Sequence, residues 1–272
     1  MMNFKLVAID LDGTLLDPDL KISGRNLEVI KAAVKQGVIV TLSTGRMFAA
    51  ALPFARKLEL DVPLITCNGA AIICAQTKTV YYERVLPHDI IVSVINLAGE
   101  LKLELSLYTV DDIYVEDIEH NVRIHGRIDN AQVKPAKLEE IARNCNIIKI
   151  LFSSNNPYEH AEEVYRRFGR DCTFYFSLPW FVEIVDQGVD KGDALKELAG
   201  KFGVHREEII AIGDNFNDLP MIKYAGMGVA MGNAPGDLKK LADFVTGSHD
   251  DDGVAHVIEK FILKANNHHS MG

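Results

Sequence analysis

Phe4-Lys5-Leu6-Val7-Ala8-Ile9-Asp10-Leu11-Asp12-Gly13-Thr14 runs an apolar strand into two carboxylates, two residues apart, and then into a glycine turn. In extended backbone residues i and i+2 project the same way, so Asp10 and Asp12 are expected to share one small site at the strand's end. Two anions that close repel each other, and either a proton held by one of them or a bound cation must compensate. The plainer alternative is a surface turn in which Asp-Gly simply ends a strand.

The same punctuation recurs along the chain. Val38 to Leu42 precedes Ser43-Thr44-Gly45, Leu64 to Cys67 precedes Asn68-Gly69, and Ile209 to Ile212 precedes Gly213-Asp214-Asn215. Near-continuous apolar runs fit strands covered on both faces. Before the second strand, Leu27, Ile30 and Val34 recur at helical spacing, with Ser23 as N-cap and Gly37 past the end. This alternation predicts an α/β fold with a doubly wound, Rossmann-like parallel sheet, whose ligands lie beyond the carboxyl ends of the strands.

After about Arg84 the pattern changes. Leu103, Leu105 and Leu107 alternate with Lys102, Glu104 and Ser106, and Asp111-Asp112 turns the chain into Ile113-Tyr114-Val115, which predicts an antiparallel hairpin with one wet face. Helices are expected across Ile90 to Leu101 and Tyr158 to Phe168, and strands at Thr173 to Phe176 and Phe181 to Val185, around Pro179. From about Gly188 the strand, helix, strand alternation resumes. Residues 84–187 therefore read as an α/β unit inserted into a core of residues 1–83 and 188–272.

Length and composition suit this plan: 272 residues permit two domains, and 48% apolar with 25% charged residues suffices for a sizeable core and argues against disorder. A net charge of −9 argues against nucleic acid or an anionic membrane as partner. An anionic substrate must then meet locally placed cations. Cys67, Cys74, Cys145 and Cys172 form no Cys-x-x-Cys pair and read as reduced thiols of a cytoplasmic protein. No leader-like segment or membrane-length apolar run is read. His268-His269 sits in a polar tail, Asn266 to Gly272, that reads as a frayed end rather than a metal site.

Asp190-Lys191-Gly192-Asp193 opens a helix whose stripe is Leu195, Leu198 and Phe202, with Asp190 as cap and Gly203 after the last turn. A lysine in the first turn opposes the macrodipole, so Lys191 is either a solvated side chain or an ammonium aimed, with the helix N-terminus, at an anion. Gly213-Asp214-Asn215-Phe216-Asn217-Asp218 is dense in oxygen ligands. Hard cations want such oxygens, and Asp10 and Asp214 are placed to supply Mg²⁺ from neighbouring strand ends; otherwise the loop bonds only its own backbone. Ser43-Thr44-Gly45-Arg46 puts a hydroxyl, a flexible N–H and a guanidinium at a strand-to-helix junction suited to phosphate, unless Thr44 is only a cap. Asn68-Gly69 is a turn or a substrate contact. His249-Asp250-Asp251-Asp252-Gly253 reads as a solvated acidic loop, with a supporting role at the site as the alternative.

Together and in order, an Asp pair, a Thr, a Lys and an Asp-rich loop at strand ends and helix starts resemble the haloacid dehalogenase superfamily of phosphohydrolases. Asp10-Leu11-Asp12-Gly13-Thr14 matches its first motif, Thr44 its second, Lys191 its third and Gly213 to Asp218 its fourth. Ser43-Thr44-Gly45-Arg46, Asn68-Gly69 and Asp251-Asp252-Gly253-Val254-Ala255 further resemble its Cof-like branch, which carries a large α/β cap between the second and third motifs. The resemblance implies Asp10 as nucleophile. It implies Asp12 as the acid and base, initially protonated, whose backbone carbonyl also binds metal. Mg²⁺ would sit on Asp10, Asp12 and Asp214; Leu11, Thr44, Gly45, Arg46, Asn68, Lys191 and Asn217 would hold phosphate or substrate; Asp218 would orient Lys191 or a metal water.

The expected partner is a small phosphorylated metabolite, sugar phosphates first and nucleotide, flavin or pyridoxal phosphates next, with no nucleic acid, membrane or obligate protein partner. Arg123, His125, Arg127 and Trp180 are candidate leaving-group contacts, each with a plainer role as surface loop or cap core. Competing readings are a dehalogenase, which needs neither Asp12 nor Mg²⁺, a phosphomutase, and a phosphoaspartate signalling module, which needs no inserted cap.

Overall fold

The structure is a computed structural model and describes residues 4–117, 133–153, 157–178 and 181–263. Arg123, His125, Arg127, Pro179, Trp180 and the tail from Asn266 lie outside the described residues. The first segment runs β1 (Leu6–Ile9), α1 (Gly24–Lys35), β2 (Ile39–Leu42), α2 (Phe48–Lys57), β3 (Pro63–Thr66), β4 (Ala71–Cys74) and β5 (Val80–Glu83). The middle runs α3 (His88–Leu101), β6 (Glu104–Tyr108), β7 (Ile113–Val115), β8 (Val133–Pro135), α4 (Leu138–Asn144), β9 (Lys149–Ser153), α5 (Pro157–Phe168), β10 (Cys172–Leu178) and β11 (Phe181–Asp186). The last runs α6 (Lys191–Phe202), β12 (Ile209–Gly213), α7 (Leu219–Tyr224), β13 (Met227–Ala230), α8 (Gly236–Lys239), β14 (Phe244–Val245) and α9 (Gly253–Ile258). The chain divides into two compact units, Met1–Thr44 with Ala51–Tyr81 and Asp190–Gly272, and Gly45–Ala50 with Tyr82–Val189.

In the first unit β1 is the centre of a parallel sheet ordered β14-β13-β12-β1-β2. Its four side chains are fully buried, which is why the run carries no polar alternation. The chain leaves β1 toward β2 on one side and returns on the other through β12, β13 and β14. The strand order therefore reverses at β1/β12, the place where open α/β sheets bind ligands. Register brings the ends level: Ile9 pairs with Ile212 and with Leu42, Asp10 N–H donates to Ile212 O (3.0 Å), and Ser43 N–H donates to Ile9 O (2.9 Å).

Local expectations hold with two shifts. Ser23 caps α1 by accepting from Asn26 N–H (3.0 Å), but the buried stripe is Asn26, Val29, Ile30 and Ala33, one residue off the expected line. Asn26 tolerates burial because its Oδ1 accepts the Ala255 N–H of α9 (2.9 Å). In α6, Leu195 and Leu198 are buried while Phe202 is 41% exposed; the helix ends at left-handed Gly203 before its last turn is covered.

The expected strand at Leu64 is β3, yet it is not simply a further parallel strand. It meets the end of β2 at the isolated Ser43–Ile65 bridge rather than along a ladder, and builds a separate sheet, β3-β4-β5, antiparallel between β3 and β4. Pro63 has no N–H to give to a ladder, and its carbonyl is taken by the Thr41 hydroxyl (2.7 Å).

The second unit is a six-stranded sheet, β10-β11-β9-β6-β7-β8, antiparallel except between β7 and β8. One face packs on α3, α4 and α5 through residues such as Leu105, Leu107, Ile150, Phe152, Val182 and Ile184. The β6–β7 hairpin forms, but its polar face is not wet: Ser106 and Tyr108 are buried. They share that face with Lys149 and Glu183, an ion pair (3.6 Å) whose ammonium also lies 4.2 Å from the Tyr108 ring centroid and donates to Gly45 O (3.5 Å). Charge pairing and the aromatic face let polar residues stay out of water there. Among the described residues no helix is long and apolar enough to cross a membrane.

Candidate active site

Asp10 is the first residue beyond β1 and only 5% exposed. The strand stops there: the N–H groups of Thr14, Leu15 and Leu16 converge on the buried Leu11 carbonyl (3.3, 3.0 and 2.9 Å), and Gly13 takes φ +78°. With the alternation ended, Asp12 is exposed while Asp10 is buried. The two carboxylates therefore differ in their exposure to water. The acids gathered with Asp10 are Asp214 and Asp218, one oxygen of each lying within 4.8 Å of the others. Gly13 is required twice over, for its positive φ and because a Cβ there would sit 2.5 Å from Asp214 Oδ2.

Lys191 is neither solvated nor served by a free helix terminus. Asp190 caps α6 by accepting from Gly192 N–H (2.7 Å) and Asp193 N–H (2.8 Å), so those donors are spent. The Lys191 ammonium, fully buried, donates instead to Asp10 Oδ1 and to Asp218 Oδ1, each at 2.6 Å. Burial alone would lower its pKa, but the two carboxylates outweigh burial and hold it above the ordinary lysine value.

The loop after β12 does both things its composition allowed. Asn215 Oδ1 accepts from Phe216 N–H (2.8 Å), and Asp218 Oδ2 accepts from Asp214 and Asn215 N–H (3.0 Å each), which is local backbone work. Asp214 and Asn217 reach outward: Thr14 Oγ1 donates to Asp214 Oδ1 (3.1 Å), and Asn217 Nδ2 donates to Asn68 Oδ1 (3.0 Å). Asn68 in turn donates its N–H to the carbonyl of buried Thr44 (3.0 Å), so the ends of β2, β3 and β12 are tied in one chain of contacts. Cys67, Asn68 and Gly69 all take positive φ, and a Cβ on Gly69 would lie 2.2 Å from Asp190 O. A left-handed non-glycine residue costs roughly 1–2 kcal/mol, so this turn is held by its surroundings. Gly45 and Arg46, next in sequence to Thr44, group with the second unit.

The electrostatics ask for a cation. Burial first, then the Asp218 carboxylate, raises the Asp10 pKa well above the ordinary value against the pull of Lys191. The same two causes push Asp214 up to about 6. With all three carboxylates ionised (Asp10, Asp214 and Asp218) against one ammonium (Lys191), the cluster would carry an excess of two negative charges, the charge of one divalent cation. The donor set is all carboxylate oxygen, which suits Mg²⁺. Both oxygens of Asp218 are engaged by Lys191 and by backbone, whereas Asp10 and Asp214 keep spare lone pairs.

Asn233 was not among the residues singled out from the sequence. Its Nδ2 donates to Gly13 O (2.8 Å) and lies 3.5 Å from Asp214 Oδ2, and its Oδ1 accepts from His249 N–H (3.1 Å). The signal was there: Gly232-Asn233 follows the apolar run of β13 as Gly213-Asp214 follows β12. The acidic loop keeps Asp250 and Asp251 exposed, as expected, and is also held by His249, by Ser23 Oγ donating to Asp252 Oδ1 (2.5 Å) and by Ser248 Oγ donating to Asp251 Oδ2 (2.6 Å).

A carboxylate cluster with one buried lysine at the switch point of a doubly wound sheet suits phosphoryl-transfer chemistry on an α/β core. Residues 7–258 match the family model of haloacid dehalogenase-like hydrolases, and the chain belongs to that family. It is 33% identical to the 5-amino-6-(5-phospho-D-ribitylamino)uracil phosphatase YcsE of Bacillus subtilis, over 96% of this chain and 97% of that one. A haloacid dehalogenase-like hydrolase from Bacteroides thetaiotaomicron superposes with a TM-score of 0.87 at 34% identity, covering 96% of this chain and all of the other. A sugar phosphatase of subclass IIB superposes with a TM-score of 0.82 at 27% identity, over 94% and 98% of the two chains. The expectation of a phosphatase with a doubly wound core and an inserted α/β unit agrees with these findings.

Proposed function

We propose that the chain is a Mg²⁺-dependent phosphomonoester hydrolase of a small metabolite, a sugar phosphate in the first instance, working through an aspartyl phosphate on Asp10. The observation that carries this is the Asp10 carboxylate buried 2.6 Å from Lys191 within the excess-negative cluster of Asp214 and Asp218. Asp10, Asp214 and the Asp12 carbonyl would hold Mg²⁺, which when bound neutralises charge on the phosphoryl oxygens.

A carboxylate oxygen of Asp10 attacks phosphorus as the ester P–O bond breaks, and Asp12 gives its proton to the departing alkoxide. A water then attacks the acyl phosphate, Asp12 takes the water's proton, and the bond from Asp10 to phosphorus breaks to release phosphate. Burial disfavours the ionised form of Asp10, and Lys191 with a bound cation would keep it ionised for attack. Lys191 and Thr44, with Leu11, Gly45 and Arg46 from the flanking loops, bind the phosphoryl group, Asn68 and Asn217 act as a joined amide pair beside it, and Asp218 keeps Lys191 aimed.

The second unit serves as the cap that selects the leaving group and excludes water from the first step. The chain's four thiols, Cys67 and Cys74 in the first unit and Cys145 and Cys172 in the second, are free, in keeping with a cytoplasmic setting. A phosphomutase could use nearly the same residues. The test is a phosphate-release screen with Mg²⁺ over sugar, nucleotide and cofactor phosphates, with Asp10→Asn as the blank. Release above the blank for sugar phosphates is the expected result; transfer to a second sugar hydroxyl without release favours the mutase, and no turnover of any ester refutes the proposal.

A further inference from the structure

We infer that Asn233 is a positioning residue for the Asp214 carboxylate, fixing the orientation in which Asp214 takes up a divalent cation; this rests on the metal reading above. A carboxylate turns about a broad torsion unless donors hold it. Here Thr14 Oγ1 holds Oδ1 at 3.1 Å and the Asn233 amide approaches Oδ2 at 3.5 Å, while the same amide nitrogen clamps the Gly13 carbonyl at 2.8 Å. One neutral side chain thus ties the turn after β1 to the carboxylate after β12.

Asn233 is exposed but not loose. Its Oδ1 accepts the His249 N–H, and its neighbour Gly232 donates to Gly247 O (2.9 Å) and accepts from Lys239 Nζ (2.5 Å). A Cβ on Gly232 would lie 2.7 Å from Ser248 N, so the two segments meet backbone to backbone. Neutrality matters as much as reach. A lysine at position 233 would also donate, but its charge would cancel part of the excess that draws a divalent cation. The amide orients without competing.

The test titrates MgCl₂ calorimetrically into the substrate-free protein, comparing the unaltered chain with Asn233→Ala and Asn233→Ser, with Asp214→Asn as the control. Substitutions that free a metal-binding carboxylate lower metal affinity by about 10–100-fold, and a loss of about 10-fold is expected for both Asn233 variants. Melting in EDTA should stay near that of the unaltered chain, and KM for a turned-over ester at saturating Mg²⁺ should be unchanged. The serine side chain is too short to span Gly13 and Asp214 yet stays polar, so it supplies the answer if the alanine variant does not fold. Unchanged Mg²⁺ affinity in a folded variant, or a fall in melting temperature without a fall in affinity, overturns the role of Asn233. Failure of the unaltered chain itself to bind Mg²⁺ overturns the metal reading instead.

Discussion

Asp10 is poised rather than at rest. Its burial and the nearby Asp218 make ionisation unfavourable, and Lys191 offsets only part of this. Replacing Asp10 by Asn should abolish turnover, a fall of about 10⁴-fold or more if it acts as nucleophile. The same variant should melt higher than the unaltered protein in EDTA, because one surplus negative charge is gone; a lower melting point would contradict the charge count. Asp12→Asn should slow release most for poorly acidic alcohols, so equal slowing of nitrophenyl and sugar phosphates would argue against proton donation. Which residues meet was legible from their recurrence at strand ends. Which carboxylates cluster was not, because the i/i+2 rule presumes a strand, and here the chain winds around the Leu11 carbonyl instead.

At the scale of elements, α6 shows how local rules are met while a charge is placed against them. Asp190 satisfies the first N–H groups, and the lysine disfavoured by the macrodipole is repaid by two carboxylates at 2.6 Å. In the second unit the polar face of β6, β9 and β11 has the opposite logic, with Lys149 and Glu183 compensating each other out of water. Removing one partner leaves a buried charge, so Glu183→Ala should cost about 3–5 kcal/mol in urea unfolding. A loss under 1 kcal/mol would mean that the pair is not desolvated in solution. In this unit α3, β6, β7, α5, β10 and β11 were readable from the sequence, whereas β8, α4 and β9 were not singled out; nor was the burial of Ser106 and Tyr108, since alternation reports polarity and not what lies across a face.

For the whole molecule the acid cluster sets a pH dependence. A carboxyl whose folded pKa is raised holds a proton that the unfolded chain has released, so its contribution to stability fades as pH rises through the window, from 3.8 to about 6 for Asp214. Under the proposed function, Mg²⁺ would restore what is lost above that window. The rise in melting temperature on adding Mg²⁺ in place of EDTA should be larger at pH 8 than at pH 5; equal rises would refute the coupling. The core's class and the return of the chain after the inserted unit were legible because strand, helix, strand alternation survives the interruption. The side-branch of β3 into its own sheet was not, because an apolar run reports burial and not which strand it pairs with.

The switch point at β1/β12 also has a history during synthesis. Lys191 follows Asp10 by 181 positions and Asp214 follows Thr14 by 200. A chain emerging from the ribosome therefore presents β1 with β2 on one side and a bare hydrogen-bonding edge on the other, while the whole second unit is made and can fold. Until β12 arrives, that edge is open to foreign strands and Asp10 lacks its countercharge, so a strand fully buried in the finished enzyme is a vulnerable one in the nascent chain.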